Sequence, residues 1–112
     1  MLNAADTNAP THPAKTTVVL TSNDAPRAIS AIQRAVDKEI GRMEKSRDLA
    51  LARLQRFESQ YNTSSTTFAE VMAAEDLAGG DLEYVEWMGE YQLFQQIVEE
   101  LAVLKSLSYV VG

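Results

Sequence analysis

The stretch PRAISAIQRAVDKEIGRMEKSRDLALARLQRFESQY, residues 26–61, decides the fold. Apolar side chains recur along it at steps of three and four residues, with Arg47 as the single charged interruption. The apolar stripe consists of Ile29, Ile32, Val36, Ile40, Met43, Ala50, Leu54, Phe57 and Tyr61. At about 100° per residue these positions share one side of a helix, so the pattern predicts a long amphipathic helix over residues 25–61. A helix of that length needs a second long helix to cover its apolar side.

The second long helix is predicted near the other end of the chain, over residues 81–107. Large side chains there follow a 3,4,3,4,3 spacing that continues to Lys105 and is typical of a coiled-coil seam. The seam consists of Tyr84, Trp87, Tyr91, Phe94, Val98 and Leu101. Its spacing predicts that this helix packs along the first one in the opposite direction.

A short third helix is predicted between the two long ones, over residues 64–76. Asn62 tolerates the left-handed conformation that often ends a helix, and Ser64 offers a hydroxyl as the next N-cap. With Ser64 as cap, Phe68 lies on the first turn and faces the tip of the hairpin. The predicted fold class is therefore all-α, a long antiparallel helical hairpin with a short helix at its tip.

Residues 1–24 are rich in Asn, Thr, Ala and Pro, and this composition predicts a flexible arm ahead of a helical domain spanning residues 25–112. Residues 16–20, TTVVL, have the composition of a strand, but no second strand is evident. They could stay loose, pair with a second copy or add to a partner's sheet, and the first alternative is favoured. Residues 108–112 are too β-branched for a helix and are expected to fray or to dock on a neighbour.

Composition indicates a soluble cytoplasmic protein. The chain has no cysteine, no basic-then-apolar N-terminal segment and no apolar run long enough for a bilayer. The net charge of −6 disfavours nucleic acid as a partner. Nine basic residues stand against seven acidic ones up to residue 64, whereas one stands against nine from residue 65 onward. A basic partner should therefore prefer the second half.

The sequence predicts no enzyme, no cofactor and no metal site. His12 is the only histidine and lies in the predicted arm, where it has no fixed position for acid–base chemistry. The glutamates of the last helix resemble those of di-iron bundles in number, but neither long helix supplies the histidine that such sites use. Neither a phosphate-binding loop nor a serine-hydrolase motif occurs.

The last helix has more apolar surface than one partner helix covers, and this surface predicts an interface. Leu93, Ile97 and Leu104 lie on a flank of the seam, and Trp87 joins them as a candidate anchor. Self-association into a homodimer or higher homo-oligomer is the favoured interpretation, and docking of a different protein is the alternative.

A row of basic residues is predicted on the side of the first helix opposite its apolar stripe. A ridge of this kind could follow a phosphate backbone or an acidic protein surface. It consists of Arg27, Arg34, Lys38, Lys45 and Arg56. Acidic residues flank it and no aromatic side chains alternate with it, so solvated charge is the favoured interpretation. Gly41 and Gly89 lie inside the two long helices, where close approach of a partner and neutral drift explain them equally well.

The segment FESQYNTSSTTF, residues 57–68, followed by DLEYVEW, residues 81–87, and Tyr91, resembles a group of small helical bacterial and archaeal proteins. In that group a long helix ends in a phenylalanine–tyrosine–glycine segment, and two serines begin a short helix. An acidic loop then leads to a glutamate–tryptophan pair. The group is regarded as antitoxins encoded beside a small toxin. The resemblance covers about residues 50–105 and implies partner binding and toxin neutralisation, with a self-assembling structural or adaptor protein as the alternative.

Overall fold

The computed structural model describes residues 15–74 and 82–112. The elements follow the order β1 (Thr16–Leu20), α1 (Ala25–Tyr61), α2 (Ser65–Ala74), α3 (Leu82–Lys105) and β2 (Leu107–Val111). Two compact units share the long helices. Of the described residues, the terminal unit comprises 15–41 and 99–112, and the central unit comprises 42–74 and 82–98. The chain is mostly helical as predicted, but the strand pair makes it not purely all-α.

Helix α1 has the predicted bounds because both of its ends are capped. The Asp24 carboxylate accepts a hydrogen bond from the Arg27 amide at 3.3 Å, and the Asp24 carbonyl accepts one from Ala28 at 3.0 Å. At the other end Asn62 has a φ of 51°, the left-handed conformation predicted for it. The Thr63 amide then bonds back to the carbonyl of Glu58 at 3.2 Å, which closes the helix.

Helix α2 begins where the sequence predicts, because Ser64 is its N-cap. The Ser64 hydroxyl accepts a hydrogen bond from the Thr67 amide at 3.1 Å, and its carbonyl accepts one from Phe68 at 2.9 Å. Residues 75–81, which include the Gly79-Gly80 pair ahead of α3, lie outside the described residues. Helix α3 ends at Lys105, two residues before the predicted end, because Leu107 begins β2.

Strands β1 and β2 correct the prediction for both ends of the chain. They pair in parallel, in a register that runs from Thr16 opposite Leu107 to Leu20 opposite Val111. The Gly112 amide extends the ladder with a 2.7 Å hydrogen bond to the carbonyl of Leu20. Residues 16–20 are therefore not part of a loose arm. Residues 1–14, including His12, lie outside the described residues.

The predicted apolar stripe of α1 faces inward in both units. In the central unit Met43, Ala50 and Leu54 are buried. In the terminal unit the stripe residues from Ile29 to Ile40 are half-buried. Arg47 is half-buried too, and its guanidinium pairs with the neighbouring Asp48 at 3.0 Å.

The seam of α3 differs from the prediction at one step. Ile97 is 8% exposed, whereas Val98 is 41% exposed, so the two residues exchange their predicted places. The buried positions step by three residues from Phe94 to Ile97 and then by four to Leu101, the reverse of the predicted order. Both orders span seven residues, so the spacing of the flanking positions could not distinguish them. None of the described helices is long and apolar enough to cross a membrane.

Candidate protein-binding interface

A cluster of stacked rings in the central unit fixes the orientation of α3. Trp87 is 1% exposed. The centroid of its ring lies 3.8 Å from that of Phe68 and 5.5 Å from that of Phe57, and the indole is nearly parallel to both rings. Tyr61 stacks on the same indole at 5.4 Å. These rings come from α1, α2 and α3, so the tryptophan holds the three helices of the central unit together.

The polar atom of Trp87 has a dedicated partner. Its indole N–H donates to the hydroxyl of Ser65 at 2.9 Å, and both residues are buried. The Ser65 amide in turn donates to the carboxylate of Glu58 at 2.8 Å. A buried N–H without an acceptor would be costly, so this contact fixes which way the indole points.

Polar contacts at the rim of the cluster set the register of α1 against α3. The Glu83 carboxylate accepts a hydrogen bond from the hydroxyl of Tyr61 and another, at 2.8 Å, from the side-chain amide of Gln60. Arg53 pairs with Glu90 at 3.4 Å. Residues later in α1 thus meet residues earlier in α3, which confirms the antiparallel direction within the central unit.

With Trp87 turned inward, the opposite side of α3 carries an uncharged stripe that the sequence reasoning missed. Its apolar members are Leu82, Val85 and Leu93, which are 75%, 46% and 43% exposed. Gly89 and two glutamines continue it. The stripe, called the outer face below, consists of Leu82, Val85, Gly89, Gln92, Leu93 and Gln96. A 3,4,3,4 spacing of uncharged residues from Leu82 to Gln96 could have revealed it in the sequence.

Gly89 lies in the middle of the outer face and leaves it open. A Cβ atom added there would meet no atom within 4 Å. Packing within the chain therefore does not require a glycine, although a glycine inside a helix costs about 1 kcal/mol relative to alanine. A second helix could approach the backbone of α3 closely at this point.

The charged residues that α2 and α3 contribute around the outer face are acidic. The described residues of α2 and α3 in the central unit, 65–74 and 82–98, include no lysine or arginine. Their charged residues are Glu70, Glu83, Glu86 and Glu90. Glu86 is exposed and lies one heptad before Leu93, so it flanks the stripe directly.

A groove of about 360 Å³ adjoins the outer face. Arg53, Arg56, Phe57 and Gln60 of α1 line one wall, and the other wall is formed by Glu86, Gly89 and Glu90 of α3. Because Gly89 belongs to both surfaces and Glu86 flanks the outer face, the groove and the outer face are continuous. A side chain reaching over α3 would find an aromatic ring and charges of both signs there.

The four residues predicted as an interface do not share one surface. Trp87 and Ile97 are buried in the chain, so the expectation that Ile97 lies on an exposed flank is wrong. Leu104 is half-buried and lines a groove of the terminal unit with Val36, Leu107 and Tyr109. Leu93 alone of the four is well exposed, and it belongs to the outer face.

The five residues of the predicted basic ridge are all exposed. Arg27 pairs with Asp24 at 3.5 Å, and Arg34 donates to the hydroxyl of Ser30 at 2.9 Å. Arg27, Arg34 and Lys38 belong to the terminal unit, whereas Lys45 and Arg56 belong to the central unit. Arg56 lines the groove beside the outer face.

Among residues 15–74 and 82–112, no three His, Cys, Asp or Glu side chains are grouped so that they could hold a metal ion. No family model, no curated protein and no solved structure matches the chain.

Proposed function

We propose that this chain is a non-catalytic protein–protein interaction module of the cytoplasm, which binds a basic partner protein through the outer face of α3. The observation that carries the proposal is the exposure of Leu82, Val85 and Leu93 on one side of a helix whose other side is fixed by Trp87. Exposed apolar side chains on a rigid element are a ready surface for a second helix.

Shape and charge define the partner. Burial of apolar surface contributes about 25 cal/mol per Å² to the free energy of binding. Gly89 allows a partner helix to come close enough to exclude water from Leu82 and Leu93. The surrounding glutamates favour lysine and arginine at the partner's rim. An amphipathic helix with a basic border meets both requirements.

The resemblance to antitoxins suggests a small toxin, encoded beside this chain, as that partner. The residues that carry the resemblance form the end of α1, the cap of α2 and the surroundings of Trp87, which position α3. Neutralisation would consist of covering a basic surface of the toxin. A self-assembling structural or adaptor protein is the second candidate, because no described strand other than β2 pairs with β1.

Co-expression with the product of the adjacent gene tests the proposal. We expect rescue of growth, binding of the purified pair at micromolar concentration, and a loss of affinity of more than about tenfold in Leu93→Glu. The matched control is Leu49→Glu. Leu49 is 59% exposed on α1, with Lys45 and Arg53 one turn away on either side. This control should bind normally.

Three results would contradict the proposal. The first is no binding to the neighbour's product at micromolar concentration. The second is an equal loss of affinity in Leu93→Glu and Leu49→Glu. The third is binding that does not weaken as salt is raised, because attraction between exposed charges is screened by salt. Circular dichroism of each variant checks that the helices remain.

A further inference from the structure

Within the part of the chain that the structure describes, one edge of strand β1 pairs with β2 and the other edge is open. The Leu20 carbonyl accepts a hydrogen bond from Gly112, so the backbone groups of Leu20, and by alternation those of Val18 and Thr16, point toward β2. The N–H and C=O groups of Thr17 and Val19 therefore point away from β2. Among the described residues, none donates to or accepts from these four groups.

The open edge of β1 is also the accessible one. Val19 is 64% exposed, and Thr16 and Thr17 are exposed as well. In β2, by contrast, Leu107, Ser108 and Tyr109 are half-buried, and Leu107 and Tyr109 line the groove with Val36 and Ile40. A docking strand would therefore reach β1 more easily than β2.

Nothing in β1 protects this edge. Natural proteins usually guard an open edge with a charged side chain, a proline or a bulge. The sequence TTVVL contains no charge and no proline, and its register with β2 continues without interruption over all five residues. A parallel sheet of only two strands is also marginal by itself, so additional pairing would stabilise it.

The charge balance of the terminal unit is compatible with a second copy as the occupant. The described residues of this unit, 15–41 and 99–112, carry five basic and five acidic side chains, so two such units meet without net repulsion. The described central unit, residues 42–74 and 82–98, has five basic and seven acidic residues. Self-association is therefore disfavoured by charge in the central unit and not in the terminal unit.

The sequence of β1 also suits pairing with itself. In an antiparallel arrangement centred on Val18, Thr17 of one copy faces Val19 of the second copy, and the reverse pair forms by symmetry. Residues that face each other in this way exchange both of their hydrogen bonds, so the open groups of the two copies form about four bonds. No charged side chains are brought together.

We propose that two copies of this chain associate through antiparallel pairing of the open edges of β1. The result is a four-stranded sheet in the order β2, β1, β1 of the second copy, β2 of the second copy. This dimer leaves out the residues of the outer face of α3, so it is independent of the proposed binding of a basic protein.

Sedimentation and hydrogen exchange of the full chain test the dimer. We expect a dimer that dissociates on dilution by about a hundredfold or more, following mass action. The amides of Thr17 and Val19 should exchange slowly in the dimer and rapidly in the monomer. Those of Val18 and Leu20, which face β2, should respond much less to dilution. A monomer at every concentration, or rapid exchange of Thr17 and Val19 throughout, would overturn the proposal.

Substitution at Thr17 distinguishes a dimer formed through the open edge of β1 from a dimer formed through another surface. Thr17→Pro removes an outward N–H, so it should weaken the dimer by more than about tenfold while leaving the ladder to β2 intact. Thr17→Val keeps the N–H and should dimerise normally. If Thr17→Pro fails to fold, hydrogen exchange of the unaltered chain decides.

A dimer that survives in folded Thr17→Pro would show that another surface is used. Loss of the dimer in Leu93→Glu instead would place self-association on α3. A different protein could slow the amide exchange of Thr17 and Val19 while the chain alone stays monomeric. That result would mean that the edge binds a strand of another protein and that the proposed dimer is wrong.

Discussion

The central unit and the terminal unit use different means to hold the same two long helices. In the central unit, rings from three helices stack on a buried tryptophan whose N–H is satisfied by Ser65. In the terminal unit, Ala25 and Leu101 are buried, most other apolar side chains are half-buried, and hydrogen bonds between β1 and β2 supply the long-range contact. Stability should therefore be uneven along the helices, with the terminal unit opening first.

Truncation of the tryptophan should have the largest effect. Trp87→Ala removes the ring on which Phe57, Tyr61 and Phe68 stack, and we expect a loss of about 3–5 kcal/mol in the free energy of unfolding. Chemical denaturation followed by far-ultraviolet circular dichroism measures it. Trp87→Phe keeps a ring in place and should lose less. A loss below about 1 kcal/mol in Trp87→Ala would show that the rings do not dominate the central unit.

The corresponding truncation in the terminal unit should cost less. Leu101 is buried among side chains that are mostly half-buried, so its surroundings can partly collapse into the space left by Leu101→Ala. We expect a loss of about 2–3 kcal/mol, near the low end for buried leucines. Amide exchange should accelerate in β1 and β2 and remain slow in the helices around Trp87. A larger loss than in Trp87→Ala would reverse the comparison.

Removal of the hydroxyl that Trp87 uses should have a smaller effect. Ser65→Ala leaves the buried indole N–H without its acceptor, and we expect a loss of about 1–3 kcal/mol with a shifted tryptophan emission. Ser64→Ala, the neighbouring variant, removes the cap of α2 and should cost about 1 kcal/mol without moving the emission. Equal emission changes in both variants would contradict the assigned roles.

Substitution of the two helical glycines should have the smallest effect on the free energy of unfolding, and it should be stabilising. A Cβ atom added at Gly41 or at Gly89 would meet no neighbouring atom within 4 Å. Each change to alanine should therefore stabilise the chain by up to about 1 kcal/mol. Gly89→Ala should also weaken binding of the basic partner, whereas Gly41→Ala should not. Unchanged affinity in Gly89→Ala would mean that no partner helix approaches this point closely.

Features set by local chemistry were predictable from the sequence. The bounds of α1, the left-handed Asn62 and the Ser64 cap depend on side chains within four residues of each other, and all were confirmed. The inward stripe of α1 was also predicted, because its period repeats over 33 residues, from Ile29 to Tyr61. A periodic pattern of this length predicts a helix even when one position, Arg47, is charged.

Features set by distant partners were not predictable. The strand character of residues 16–20 was visible, but its partner begins 91 positions later, and the three helices form the connection that a parallel pair requires. The choice between Ile97 and Val98 depends on which side of α3 is covered, which neighbouring residues do not determine. The outer face has a visible spacing in the sequence, but its exposure depends on Trp87 pointing inward.

The parallel strand pair also sets an order of events during synthesis. Ribosomes add about 5–20 residues per second, so residues 107–111 emerge roughly 5–20 s after β1. During that interval α1 can form from local contacts, while β2, the described partner of β1, has not yet emerged. The uncharged segment of β1 therefore stays without this partner until residues 107–111 leave the exit tunnel.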